Sequence, residues 1–227
     1  SFAKEPGLWH GGQMEARHQP TTDYATAQFV REPAAWATIR ARGEALRPGM
    51  QMSAYEGALL SWLVGLKQAG RVLEIGCFMG LTALWMAKAL PPSGTLVTLE
   101  RDAGYAQEAR AHLAIDPRIE VVETDALRWL ASDEAAAKGP FDVLFIDGEK
   151  KSYAAYLEEA MRLLAPGALI IADNTLLFGA MLGQEGTRAS KEAVAAMTRF
   201  HEMLADERRF TTTLLPTTEG LTIARKR

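Results

Sequence analysis

Two short β-branched runs end in side-chain oxygens: Val143 to Ile146 is followed by Asp147, and Leu169 to Ile171 leads through Ala172 to Asp173-Asn174. Two carboxylates and one amide oxygen, brought together, suit a hard cation, magnesium first, with manganese or calcium tolerated. Zinc is disfavoured, because His10, His18, His112 and His201 are scattered and Cys77 is the sole cysteine. Lys150 stands three residues beyond Asp147, within Gly148-Glu149-Lys150-Lys151-Ser152-Tyr153. Burial beside a divalent cation favours the neutral form of a lysine, which makes Lys150 a candidate general base. Lys151 competes for that role, and the spacing alone does not separate them. Taken singly, Asp147 and Asp173 also suit helix caps or turns.

A second group surrounds the glycine loop Glu74-Ile75-Gly76-Cys77-Phe78-Met79-Gly80. A dinucleotide loop needs a glycine at its middle position so that a pyrophosphate can approach the helix N-terminus, and Phe78 occupies that position. Glu74 repels a phosphate and attracts a ligand carrying an ammonium and a sulfonium. The pattern therefore fits S-adenosylmethionine better than NAD, while a plain strand-to-helix turn remains the rival explanation. Twenty residues after Gly80 comes Glu100, where a carboxylate at a strand end can accept from both ribose hydroxyls. Asp125 and the Ala126 N–H are placed to receive an adenine ring, although Thr124 or Asp125 can equally cap a helix.

These residues need a frame that gathers strand ends. Val72 to Ile75, Thr95 to Leu99, Ile119 to Val122, Val143 to Ile146 and Leu169 to Ile171 alternate with helix-length stretches, as in a parallel sheet with crossover helices. Phe210 to Leu215 and Leu221 to Ala224 are separated only by Pro216 to Gly220, so that pair is a hairpin and one of its strands is antiparallel. Residues 1 to 22 read as an extended arm. A helix is expected from Asp23 to about Arg47, stopped by Pro48-Gly49. A second is expected from the capping box Ser53-Ala54-Tyr55-Glu56 to Gln68, with Gly70 past its end. Leu81 to Leu90 reads as the helix after the glycine loop.

The chain has 227 residues, 48% hydrophobic and 23% charged, with 25 basic and 28 acidic side chains, and fits one domain. A net charge of −3 argues against nucleic acid as partner, since phosphate neutralisation needs clustered Lys and Arg. Ala58 to Leu66, the richest apolar stretch, is too short to span a membrane. One cysteine forms no intrachain disulfide, which points to a reducing, cytoplasmic setting.

With these pieces assembled, the chain resembles the cation-dependent O-methyltransferases of the caffeoyl-CoA and catechol O-methyltransferase group. The likeness runs through Met50-Gln51-Met52-Ser53, the E-I-G-x-x-x-G loop, Glu100, Asp125-Ala126, F-I-D-G-E-K-K-S-Y, A-D-N-T-L and Leu215-Pro216 to Gly220-Leu221-Thr222. It implies an α/β, Rossmann-like class I methyltransferase fold with a seven-stranded, mostly parallel sheet in order 3-2-1-4-5-7-6, strand 7 antiparallel, and a homodimer. Residues 51–227 would form the methyltransferase domain, and residues 1–50 an arm and helix of the same domain. The resemblance implies cofactor contacts at Met52, Glu74, Gly76, Cys77, Thr82, Glu100 and Ala126, with Phe78, Gly80, Asp125 and Asp147 completing that site and Glu149 near the methionyl end. Asp147, Asp173 and Asn174 would hold the metal, and Lys150 matches the base. Leu177 and Phe178 stand where the caffeoyl-CoA enzymes commonly have a tryptophan and a polar contact, and Gly148 and Glu149 where Ala and Asp are usual. These departures argue against a coenzyme A thioester and for a small catechol-like acceptor, with Leu176 to Leu182 as a wall against its ring. The alternatives are a hydroxylated tRNA base as acceptor, or a non-catalytic module that binds S-adenosylmethionine.

Overall fold

The computed structural model describes residues 11–184, 187, 189–217 and 219–227, and turns the alternating apolar runs into one sheet. Its N-terminal part is helical: α1 (Gly11–Phe29), α2 (Ala37–Leu46) and α3 (Ala54–Lys67). The first half of the fold continues as β1 (Arg71–Ile75), α4 (Leu81–Ala87), β2 (Thr95–Glu100), α5 (Ala103–Leu113) and β3 (Ile119–Glu123). After it come α6 (Ala126–Leu130), α7 (Asp133–Lys138), β4 (Phe141–Ile146), α8 (Tyr153–Ala160) and β5 (Leu164–Ala172). The chain closes with α9 (Lys191–Leu204), β6 (Phe210–Leu215) and β7 (Leu221–Lys226).

The seven strands lie in the order β3-β2-β1-β4-β5-β7-β6, with β7 antiparallel to both neighbours. The five-residue link between β6 and β7 makes those two strands antiparallel to each other. Successive strand side chains point to opposite faces, so each central strand feeds two cores. Leu73, Ile75, Leu144 and Ile146 pack with Leu157 of α8 and Phe200 of α9. Val72, Val143 and Phe145 pack with Leu60 of α3 and Trp85 of α4. Register then places the functional tips. Ile75 pairs with Ile146, and Ile146 with Ala172, so Gly76, Asp147 and Asp173 leave neighbouring strands at one level. Parallel strands run about 4.8 Å apart, which brings the next residue of each into reach of the others.

Two expectations are corrected at the N-terminal side. Residues 11–22, read as an extended arm, belong to helix α1, which continues through Pro20. One proline removes one ladder bond, and packing of α1 on α3 holds the helix across the glycine and proline punctuation; residues 1–10 lie outside the described residues. The helix expected over 23–47 is two helices, because Pro33 (ψ 133°) forces an extended break before Trp36. Helix α3 ends as expected, at Lys67 with Gln68 as its cap in the left-handed conformation (φ 52°) and Gly70 beyond it. The helix after the glycine loop is shorter than expected, stopping at Ala87.

The capping box forms as read. Glu56 N–H donates to Ser53 Oγ (3.2 Å), and Ser53 N–H donates to Glu56 Oε2 (3.2 Å). Ser53→Ala is expected to lower stability by about 1 kcal/mol, the usual worth of such a cap, read from the urea midpoint at constant m-value.

Candidate active site

The strand tips open into a cavity of about 1310 Å³ along the carboxyl edge of the sheet. That exceeds the several hundred Å³ of a single drug-sized ligand site, leaving room for two small molecules side by side. Its floor is the loop after β1. Gly76 adopts φ +97°, and a Cβ there would sit 2.2 Å from the Asp147 carbonyl oxygen, so the close approach of loop and β4 requires glycine. Phe78 is held at φ +48°, a left-handed conformation that costs a non-glycine residue about 1 kcal/mol or more. Its ring stands edge-on to Tyr105 at 4.9 Å. Glu100 ties the loop down: Oε2 accepts from the Phe78 N–H (2.9 Å) and the Cys77 N–H (3.3 Å), and Oε1 accepts from the Asp102 N–H (2.8 Å). Asp125 caps α6, accepting from the Arg128 N–H at 3.0 Å, and also lines the cavity, as does Ala126.

At the other end Lys150 settles among oxygens. Its Nζ donates to Asp147 Oδ1 (2.8 Å), to the Tyr153 hydroxyl (2.8 Å) and to Asn174 Oδ1 (2.5 Å). Asp173 is 7% exposed, and its Oδ1 accepts from the Asn174 N–H at 2.7 Å. Burial first, then Asp147 and Glu56, push the Asp173 carboxyl up to about 7, against the pull of Lys150. Burial, with Asp147 and Asp173 adding to it, holds Tyr153 as a neutral phenol well above the ordinary tyrosine range. Lys151 points away and pairs with Glu149 at 3.2 Å, while Glu149 also meets Arg101 at 3.4 Å. Position three after Asp147 therefore faces the site, and position four faces solvent.

The structure gathers Met52, Gly76, Cys77, Phe78, Thr82, Glu100, Asp125, Ala126, Asp147, Glu149, Lys150, Asp173 and Asn174 around one cavity. Two residues expected as cofactor contacts do not line it. Gly80 (φ +84°) starts α4 with its Cα turned to Leu113, where an added Cβ would be 2.8 Å from that side chain. Glu74 is fully buried behind the loop, because the strand pleat that aims Ile75 at one face turns Glu74 into the other. Thr98 lies level with it on β2, yet among the described residues neither Glu74 carboxylate oxygen nor the Thr98 hydroxyl has a hydrogen-bond partner. Burial raises the Glu74 pKa to about 8; Asp147 and Glu100 add to the rise and nearby Thr98 opposes it. Of Leu176 to Leu182, only Phe178 lines the cavity. Leu177 is buried, and the segment is knit by its own backbone bonds, such as Gly179 N–H to the Leu176 carbonyl (3.1 Å) and Gln184 N–H to the Gly179 carbonyl (3.2 Å). The expected wall is thus a single exposed ring. Sequence reasoning missed Thr22, Asp23 and Thr26 of α1, which roof the cavity, and Glu56 and Tyr156 on its sides. The helical period of α3 beyond its cap would have found Glu56; nothing local marks α1.

A ligand cavity beyond the carboxyl ends of the central strands is the rule for open α/β sheets, and the sheet order with antiparallel β7 together with solved O-methyltransferase neighbours makes this fold a class I, Rossmann-like methyltransferase fold. The model of the family described as O-methyltransferase matches residues 8–227. The chain belongs to this family and is an S-adenosylmethionine-dependent O-methyltransferase. It is 39% identical over 168 residues to a catechol O-methyltransferase of Mycobacterium tuberculosis, covering 73% of this chain and 74% of that one. A catechol O-methyltransferase of Niastella koreensis is 35% identical over 171 residues, covering 74% and 76%. Among solved structures, the O-methyltransferase TomG of Streptomyces achromogenes in complex with S-adenosylmethionine superposes with a TM-score of 0.83 at 34% identity, covering 93% of this chain and 98% of that one. An O-methyltransferase of Bacillus cereus in complex with S-adenosylhomocysteine gives 0.83 at 28% identity, covering 93% and 99%.

Proposed function

We propose that this enzyme is a divalent-cation-dependent O-methyltransferase acting on one hydroxyl of a catechol-like small molecule. The observation that carries the reading is the seat of Lys150: an ammonium already rests against Asp147 and Asn174, beside buried Asp173. Oxygens that hold one cation this closely can hold another, and a set of two carboxylates and an amide suits magnesium, with manganese or calcium as substitutes. Among the described residues no group of three or more His, Cys, Asp or Glu is placed to hold a metal ion, so the proposed set rests on two carboxylates completed by an amide oxygen. When bound, the ion supplies Lewis-acid charge that lowers the pKa of an acceptor hydroxyl. When bound, the donor supplies an electrophilic methyl on a sulfonium.

The chain's own residues do the rest. Asp147, Asp173 and Asn174 would hold the ion; beside that charge Lys150 gives up its proton to solvent, and the neutral amine then receives the acceptor proton at Nζ, becoming again the ammonium that pairs with Asp147 in the resting structure. Glu100 holds the donor ribose, Asp125 and Ala126 the adenine, and Met52 and Glu149 the methionyl end. Gly76, Cys77, Phe78 and Thr82 form the bed beneath it. Phe178, 57% exposed at the cavity rim, covers one face of the acceptor ring and keeps water from it. The names of the two catechol O-methyltransferase relatives support a catechol-type acceptor. A homodimer is supported by Trp62 and Leu66, one helical turn apart on α3 and more than 60% exposed. The buried thiol of Cys77 suits a reducing, cytoplasmic setting, and the described part of the N-terminal segment, residues 11–50, is taken as part of the catalytic domain because α1 packs on α3 and lines the cavity. No described helix is long and apolar enough to cross a membrane.

The deciding experiment is transfer of a radiolabelled methyl group to catechol with magnesium and with excess chelator. Label in catechol should fall to background with chelator and return with magnesium. Full turnover in chelator would remove the role given to Asp147, Asp173 and Asn174.

A further inference from the structure

The three oxygens that accept from Lys150 are not equivalent. Asp147 Oδ1 and Asn174 Oδ1 belong to the set proposed to hold the cation, so the ammonium and a divalent ion compete for them. The Tyr153 oxygen, at 2.8 Å, lies outside that set. It is also the most firmly placed of the three. Tyr153 is fully buried, its O–H donates to the Asp173 carbonyl at 2.9 Å with the Ile146 carbonyl at 3.3 Å, and its ring stands edge-on to Phe200 at 5.5 Å. A phenol has one proton; with that proton committed to a carbonyl, the oxygen faces Nζ as an acceptor. Lys150 to Ser152 form a single tight turn into α8, so a three-residue spacing delivers both groups to one point.

We propose that Tyr153 is a positioning residue: its hydroxyl keeps Lys150 Nζ at the acceptor site after a divalent ion has taken Asp147 and Asn174. The inference rests on the reading of Lys150 given above and adds a partner to it. Without the Tyr153 hydroxyl, Nζ is left with only the two oxygens that the ion needs. With an ion at those two oxygens Nζ then has no second seat, and the amine that must take the acceptor proton is no longer held toward the substrate. Tyr153→Phe deletes that acceptor together with the O–H donated to the Asp173 and Ile146 carbonyls and keeps the ring face 5.1 Å from Nζ and its packing; the loss of the donated bonds is common to both lysine backgrounds, so the cycle isolates the acceptor.

The test is a double-mutant cycle over Tyr153→Phe and Lys150→Ala. Mn²⁺ affinity is read by electron paramagnetic resonance with S-adenosylhomocysteine present, alongside turnover on catechol. Tyr153→Phe should weaken Mn²⁺ binding and lower kcat by about tenfold each, the order expected for one hydrogen bond to a charged group, with KM for S-adenosylmethionine unchanged. Lys150→Ala should bind Mn²⁺ more tightly, because the competing ammonium is gone. In the Lys150→Ala background, adding Tyr153→Phe should change neither quantity. Equal losses in both backgrounds, or no loss in Tyr153→Phe alone, overturn the inference. A Lys150→Ala variant with unaltered turnover and Mn²⁺ affinity overturns the reading of Lys150 instead. If Tyr153→Phe fails to fold, a crystal structure of the unmodified protein with Mn²⁺ and S-adenosylhomocysteine decides: Nζ should rest on the Tyr153 oxygen and off Asn174, and any other position refutes the proposal.

Discussion

Asp173→Ala is expected to reduce methyl transfer to catechol by at least about 10³-fold, the scale of removing most of a Lewis-acid contribution worth several kcal/mol. S-adenosylhomocysteine affinity should stay within a few-fold, because the donor's proposed contacts are at the β1 and β2 tips and at Asp125 and Ala126. Loss of fold does not account for such a result. The Asp173 carboxyl is destabilised where it sits, raised to about 7 by burial and by Asp147 and Glu56. Among the described residues it accepts from the Asn174 N–H alone, and the backbone carbonyl that accepts from Tyr153 survives the substitution. Deleting the carboxylate therefore relieves repulsion, and the variant should melt no lower than the parent, as is common where function keeps a strained charge. Calorimetry, titration with S-adenosylhomocysteine and kcat/KM with saturating magnesium check the three parts separately. Turnover within tenfold of the parent would show that the oxygen cluster holds no essential ion.

How much of this site the sequence discloses depends on how local the physics is. Asp147 and Asp173 were legible because parallel pairing and a strand pleat of period two fix where the residue after each strand must lie, so two acidic residues after apolar runs meet if those strands are neighbours. The hairpin from Phe210 to Lys226 was legible because its link is too short for a crossover, which makes one of its two strands antiparallel in the sheet; that this strand is β7 follows from its pairing with β5. Lys150 against Lys151 was not: the choice is made by a single tight turn and by the hydroxyl of Tyr153, a contact that forms only once β4 and α8 are assembled. Helix α1 was misread because Pro20 and the flanking glycines outweigh propensity on paper, whereas the helix is held by packing on α3. The stretch after Asn174 shows the opposite failure. Its composition promised an apolar wall, but Leu177 and Phe178 both take positive φ (49° and 54°), burying the first and exposing the second. No local rule assigns left-handed geometry to two bulky residues in succession.

Glu74→Gln is expected to stabilise the ligand-free protein at pH 8 and to lose that advantage near pH 4.5. Glu74 is wholly buried without a hydrogen bond to either oxygen among the described residues, and its pKa lies at about 8 against 4.5 for an unburied glutamate. Proton counts give the sign. Below pH 4.5 both folded and unfolded chains hold the proton, and the full stability is present. Between 4.5 and 8 the unfolded chain has released it and the folded chain has not, so stability falls as pH rises, by up to about 1.4 kcal/mol per pH unit. Across that window the loss attributable to this one group amounts to roughly 5 kcal/mol at most. A glutamine has no proton to lose, so the difference between the two urea-unfolding profiles should open steadily from pH 5 to pH 8 in favour of the variant. Parallel profiles would mean that Glu74 is already ionised and paired in the fold. The same substitution separates stability from function: a carboxylate behind the donor loop attracts a sulfonium more than the neutral sulfur of the product. Glu74→Gln should therefore weaken S-adenosylmethionine binding more than S-adenosylhomocysteine binding at pH 8, where about half of the parent's Glu74 is charged.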